Sequence, residues 1–163
     1  MPRFGAVDSK DRFFGAAVYL LAIRDATMLG AIFALQIPAL APLFDFLQRI
    51  LLPVNLIYGI FNQAIPFGLG SLVVFFILFI AVVRNEKISY FIRFNTLQSI
   101  LFGIAVSLVE IVFGQLSLLI FIVAGPVFLL VTGASFYCIA ECIMGRYPEI
   151  PTISAAVSSQ LPR

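Results

Sequence analysis

Five residues on one apolar stretch share a helical repeat. Asn95, Ser99, Gly103, Ser107 and Glu110 follow one another at intervals of four, four, four and three, so on a helix they form one polar or small stripe among isoleucine, leucine and valine. In a bilayer such a stripe must face other helices or a wet cavity. Gly103 and Ser107 also suit close helix packing. Glu110 needs a partner, because an unpaired carboxylate at membrane depth is costly. Arg24 is the candidate. At ~1.5 Å per residue from the inner edge, Arg24 lies ~17 Å deep and Glu110 ~24 Å deep, a gap a long Arg side chain can bridge. Asp25 is the weaker partner for Arg24, since adjacent helix residues do not face each other. An Arg24–Glu110 buried pair is therefore expected, as glue or as the lining of a pathway.

Other reactive side chains are few. The chain has no histidine, which removes Ser-His and Cys-His dyads and His-ligated metal sites. Cys138, Glu141 and Cys142 share a helical face, without a third strong metal ligand nearby; both cysteines read as small packing residues rather than a disulfide. No phosphate-binding loop appears. The expectation is a protein that is not an enzyme and has no cofactor.

Elements that position these residues follow from composition. Of 163 residues, 62% are hydrophobic and 11% charged, against about 25% charged in a soluble domain. So much apolar surface needs a lipid solvent. A span takes about 20 apolar residues, and runs at 64–83, 94–114 and 116–144 qualify. Residues 13–36 form a fourth candidate although Arg24 and Asp25 lie at its middle, each costing about 2.5–3.5 kcal/mol at a helix centre. Between the first two spans, 42–53 reads as an amphipathic interfacial helix: Leu43, Phe44, Leu47, Ile50 and Leu51 take one side and Asp45, Gln48 and Arg49 the other. An apolar loop packed on the bundle is the alternative. Gly125-Pro126 should bend the fourth span. The fold class is all-α: a single polytopic membrane domain with four transmembrane helices, the interfacial helix and a polar tail at 145–163.

Charge orients this arrangement. Arg3, Lys10, Arg12, Arg84, Lys87, Arg93, Arg146 and Arg163 fall on one side, and only Arg49 on the other. By the positive-inside rule both termini face the cytoplasm or its equivalent. Basic residues are scattered, so nucleic acid is not an expected partner. The apolar run after Arg12 is too long for a signal-peptide core and lacks a small-residue cleavage site, and no transit peptide precedes it. A mature chain, or one inserted without a cleaved leader, is expected.

Two polar stretches carry more information than hydropathy dictates. Arg84 to Gln98 reads R-N-E-K-I-S-Y-F-I-R-F-N-T-L-Q, and the tail contains E-I-P-T-I-S from Glu149 to Ser154. With their spacing preserved over 11–160, these stretches resemble the Tic-twenty family, the small four-span subunit of the protein-import translocon in the chloroplast inner envelope, with relatives in cyanobacteria and algal plastid genomes. The resemblance implies a multi-pass protein of the plastid inner envelope or the cyanobacterial plasma membrane. Its implied partners are lipid, other translocon subunits and precursor polypeptides in transit. The motif positions are Arg84, Asn85, Ser89, Arg93, Phe94, Asn95 and Gln98 in the loop, and Glu149, Pro151 and Ser154 in the tail. Their simplest role is a structural corner: Asn85 and Ser89 cap turns, and the two arginines anchor helix ends. A subunit of a protein-translocating complex is thus the leading reading. A solute or ion transporter acting as a homo-oligomer, or a scaffold, competes with it.

Overall fold

The computed structural model describes residues 7–65 and 69–161. All regular structure among them is helical. Asp8 caps the first helix, α1 (Ser9–Ala17), its carboxylate accepting from the Ser9 amide. The chain continues as α2 (Tyr19–Asp25) and α3 (Thr27–Gln36), with single-residue breaks at Val18 and Ala26 and a 53° bend at the second. A 3₁₀ turn, Pro38–Leu40, leads into α4 (Ala41–Ile50), and a 67° bend separates these from α5 (Leu52–Ala64). Pro42 and Pro53 each stand in a helix's first turn, where a missing N–H costs nothing.

α6 (Gly70–Ile77) runs into a π-helical segment, Leu78–Val83, whose end is marked by the Arg84 amide bonding five residues back to Phe79. α7 (Tyr90–Phe113) and α8 (Ser117–Ile143) follow, and a short α9 (Ile153–Gln160) closes the described chain. α7 and α8 are each long and apolar enough to cross a bilayer, and up to four segments qualify if each bent pair counts as one span. Their outward faces carry Ile111, Leu118, Ile122 and Leu130, all at least 61% exposed. An apolar surface of this kind suits lipid rather than water.

Several expected boundaries move. The run at 13–36 is three helices, not one. The run at 64–83 is not a single helix either: α5 ends at Ala64, residues 66–68 lie outside the described chain, and the helix from Gly70 has 8 α and 6 π residues. At ~1.5 Å per residue that is about 21 Å, short of a ~30 Å hydrocarbon core. The expected helix at 42–53 is cut at Leu51: residues 42–50 belong to α4 and 52–53 to α5 beyond the bend, and α4 is pinned to the bundle. Leu47 and Leu51 are buried and Phe44 meets Phe128 edge-on at 6.3 Å, while Leu43, Phe46 and Ile50 stay exposed. α8 continues as a helix through Pro126, which lies exposed. Gly125 admits the Phe33 ring, which would lie 2.6 Å from a Cβ placed there.

One end of the bundle collects the basic residues. Asp11 of α1 accepts from Ser89 at the start of α7 (2.8 Å), and the Arg12 guanidinium lies against Gly145 just past α8. Val157 of α9 is buried beside Val83 and Phe94. The start of the described chain, the 84–89 turn and the tail therefore meet at this end, together with Lys10, Arg12, Arg84, Lys87, Arg93 and Arg146. Arg3 and Arg163 lie outside the described residues.

Candidate functional site: a polar cavity and the corner beneath it

The stripe on α7 divides into two environments. Its inner part is locked into the bundle. Asn95 is fully buried; its Oδ1 accepts from the Tyr19 hydroxyl (2.9 Å) and the Cys142 thiol (3.2 Å), and its Nδ2 donates to the Phe91 carbonyl (2.8 Å). Ser99 donates to the Val18 carbonyl (2.7 Å), at the break between α1 and α2. These are satisfied polar groups joining α7 to α2 and α8, as burial requires.

The outer part lines a cavity. Ser99, Gly103, Ser107 and Glu110 face Arg24, Asp25 and Tyr58 across a space of about 560 Å³, walled otherwise by α6 residues including Ser71 and Leu72. Ser107, Leu108 and Leu72 are exposed, so the cavity opens on the flank of the bundle rather than at its ends. One Glu110 oxygen is buried with no hydrogen-bond partner among the described residues.

Within the cavity Arg24 pairs with Asp25, Nη1 to Oδ1 at 3.1 Å, and its guanidinium carbon lies 3.9 Å from the centre of the Tyr58 ring. The expected Arg24–Glu110 pair does not form; the two residues share the cavity without an ion pair. Neighbours diverge on a continuous helix, but α2 ends at Asp25, and at that break the long arginine folds back onto the adjacent carboxylate. Gly103 makes this possible, since a Cβ there would lie 2.6 Å from Asp25 Oδ2. Tyr58 was not expected from sequence. Its signal is the spacing of Asn55, Tyr58 and Asn62 along an otherwise apolar helix.

The loop and tail motifs form one corner. Ser89 caps α7, accepting from the Ile92 amide (3.3 Å), and Asn85 accepts from the Lys87 amide (3.1 Å). Arg93 is buried and donates through Nε to the Val83 carbonyl (2.9 Å), closing the π-helical segment. Phe94 meets Tyr147 edge-on at 5.3 Å. Gln98, fully buried, lies 3.5 Å from both Cys138 Sγ and the Pro148 carbonyl, and its Oε1 accepts from Ser154 at 3.1 Å. Ser154 in turn accepts from the Ile150 amide (2.7 Å). Arg84, Glu149 and Pro151 remain exposed, outside this network. Both cysteines are free and buried, hydrogen-bonded to α7 rather than to each other. Glu141 is held by Arg146 through two bonds of 2.8 and 3.0 Å.

A bundle whose long helices are apolar outside and polar along one inner cavity is a small helical membrane protein. Comparison narrows this class: the family described as chloroplast import apparatus Tic20-like matches residues 9–157, and the chain belongs to it. A Tic20 family protein of Synechocystis sp. is 40% identical over 162 residues, covering 94% of each chain. The Tic20 family protein Ycf60 of Pyropia yezoensis is 36% identical over 70% of this chain and 58% of its own length. The protein TIC 20-v, chloroplastic, of Arabidopsis thaliana is 24% identical over 96% of this chain and 73% of its own. The resemblance read from the loop and the tail thus identified the family.

Proposed function

We propose that this chain is a non-enzymatic subunit of a protein-translocating membrane complex, and that the flank cavity receives a polypeptide segment. The carrying observation is the cavity itself. Ser99, Ser107 and Glu110 bring hydroxyl and carboxylate groups to one wall and Arg24, Asp25 and Tyr58 to the other, a lining that can exchange hydrogen bonds with a peptide backbone in a medium that offers none. The family's description as import apparatus supports the same reading. Four crossings are proposed: α1–α3, α7, α8, and the short α6 with its π-helical end, which falls short of the hydrocarbon core by itself and is completed in the outer half by α4 and by α5, which packs on α6. Both termini then face the cytoplasm of a cyanobacterium or the stroma of a plastid. The bonds joining Asp11 to Ser89 and Ser154 to Gln98 at one end support that topology.

A photo-crosslinking residue at Ser107, with a precursor arrested in native membranes, tests the proposal. Leu130, 70% exposed on α8, is the lipid-side control; Leu108 is unsuitable because it lines the same cavity. Crosslinks to the precursor from position 107 and not from 130 are expected. Crosslinks only to membrane subunits refute the path and favour a scaffold.

A further inference from the structure

A second cavity, of about 440 Å³, lies between α1 and α8 and shares no lining residue with the polar one. Phe13, Ala16, Ala17, Leu20, Ile139 and Ile143 line it, and Arg12 is its polar lining residue. From Arg12 to Leu20 the α1 side extends about 12 Å at ~1.5 Å per residue. Ala16 and Ala17 hollow the wall, whereas Phe13 and Ile143, 68% and 61% exposed, form its rim. Such a slot fits a hydrocarbon chain lying along the helices.

Arg12 decides which lipid. It stands at the end of the bundle where the basic residues gather, the depth of the headgroups in the proposed topology. Gly145 holds it there: its φ of +74° admits no side chain easily, and the guanidinium occupies the space a Cβ would crowd, at 2.9 to 3.1 Å. Among the described residues Arg12 makes no ion pair. The acids around it are engaged elsewhere: Asp8 accepts from Ser9, Asp11 from Ser89, and Glu141, the one carboxylate on α8, from Arg146. An exposed guanidinium over an apolar slot presents donors suited to a phosphate or sulfonate oxygen. We infer that this slot is a binding site for an anionic membrane lipid, with one acyl chain between α1 and α8 and the headgroup on Arg12. The inference rests on the membrane topology but not on protein translocation.

The test uses the full chain purified in detergent, with phosphatidylglycerol or phosphatidylcholine added and bound lipid counted by native mass spectrometry. Phosphatidylglycerol should be retained preferentially. Arg12→Gln should weaken that retention by about tenfold or more, the order expected for one charge-assisted hydrogen bond. Ala17→Phe, which fills the slot, should remove both lipids, and Arg84→Gln, an exposed charge at the same end, should change neither. Thermal unfolding of each variant establishes that it is folded. Equal retention of the two lipids by the parent chain, or unchanged phosphatidylglycerol binding in folded Arg12→Gln and Ala17→Phe, overturns the proposal. Loss of precursor crosslinking at Ser107 with lipid retention intact would refute only the translocation reading.

Discussion

The sharpest test of the packed part of the α7 stripe is a double-mutant cycle between Asn95 and Tyr19. Both side chains are fully buried, so neither water nor headgroups can replace a lost partner. Asn95→Ala strips the Tyr19 hydroxyl and the Cys142 thiol of their common acceptor and the Phe91 carbonyl of a donor. An unsatisfied buried group costs about 1–3 kcal/mol, yet hydrogen bonds between membrane helices average only ~0.6 kcal/mol and reach ~1.7. The structure favours the upper part of that range, because three bonds converge on one amide. Asn95→Ala should therefore destabilise by about 1–3 kcal/mol. Tyr19→Phe should cost about 0.6 kcal/mol, since the Cys142 thiol still reaches Asn95 Oδ1. The two should couple by about 0.5–1.5 kcal/mol, measured by detergent-driven unfolding in mixed micelles and read by circular dichroism. Additivity within ~0.3 kcal/mol would show that the bond contributes nothing specific and refute the locked-corner account.

Three further outcomes follow from the same geometry. A Cβ added at Gly133 would meet nothing within 4 Å, whereas one at Gly103 would abut Asp25. Gly133→Ala should therefore stabilise by up to about 1 kcal/mol while Gly103→Ala destabilises; parallel unfolding curves decide, and equal gains would disprove the close approach. Ser154→Ala removes the acceptor of the Ile150 amide and the donor to Gln98, so a protease should release the tail beyond Gly145 faster than from the parent chain. Burial, with Tyr90 and Asp11 nearby, pushes the Tyr147 hydroxyl up to about 12 from 10.0. The folded chain therefore holds this proton where the unfolded chain loses it, and stability should fall as pH rises from about 10 towards 12. Tyr147→Phe should flatten that alkaline limb, and an unchanged limb would assign it to another group.

Much of this was readable in the sequence where a local rule was in force. The stripe on α7 was legible because one helix runs unbroken from Tyr90 to Phe113, and a 3.6-residue repeat holds throughout. The corner roles of Asn85 and Ser89 were legible because caps and turns are short-range chemistry. Arg24 was misassigned because the rule that neighbours diverge applies inside a helix. The breaks at Val18 and Ala26 carry no glycine or proline to announce them. The contacts of Gln98 with Pro148 and Ser154 span 50 and 56 residues, and those of Asn95 with Tyr19 span 76; no periodicity encodes such pairings. What the loop and tail share was visible only as a pair of unusual sequences. In the structure they are two halves of one joint.

The division of the stripe makes folding and function separable. Asn95 and Gln98 face protein on every side, so changes there act first on stability. Ser107 is exposed to the cavity and Glu110 has one oxygen there without a partner among the described residues, so neither is expected to hold the bundle together through a hydrogen bond. Ser107→Leu makes the cavity wall apolar at its open side, and Glu110→Gln keeps shape while removing the charge. Ser107→Leu should unfold within ~0.5 kcal/mol of the parent, the range of surface substitutions remote from packed features, and Glu110→Gln should not destabilise, because it removes a charge whose buried oxygen has no partner among the described residues. If the cavity receives a polypeptide, both should also lower precursor crosslinking from a probe at Ile104 on the same wall. If either variant unfolds as readily as Asn95→Ala, the outer stripe is packing like the inner. If both are stable and crosslink like the parent, the cavity is not where the polypeptide passes.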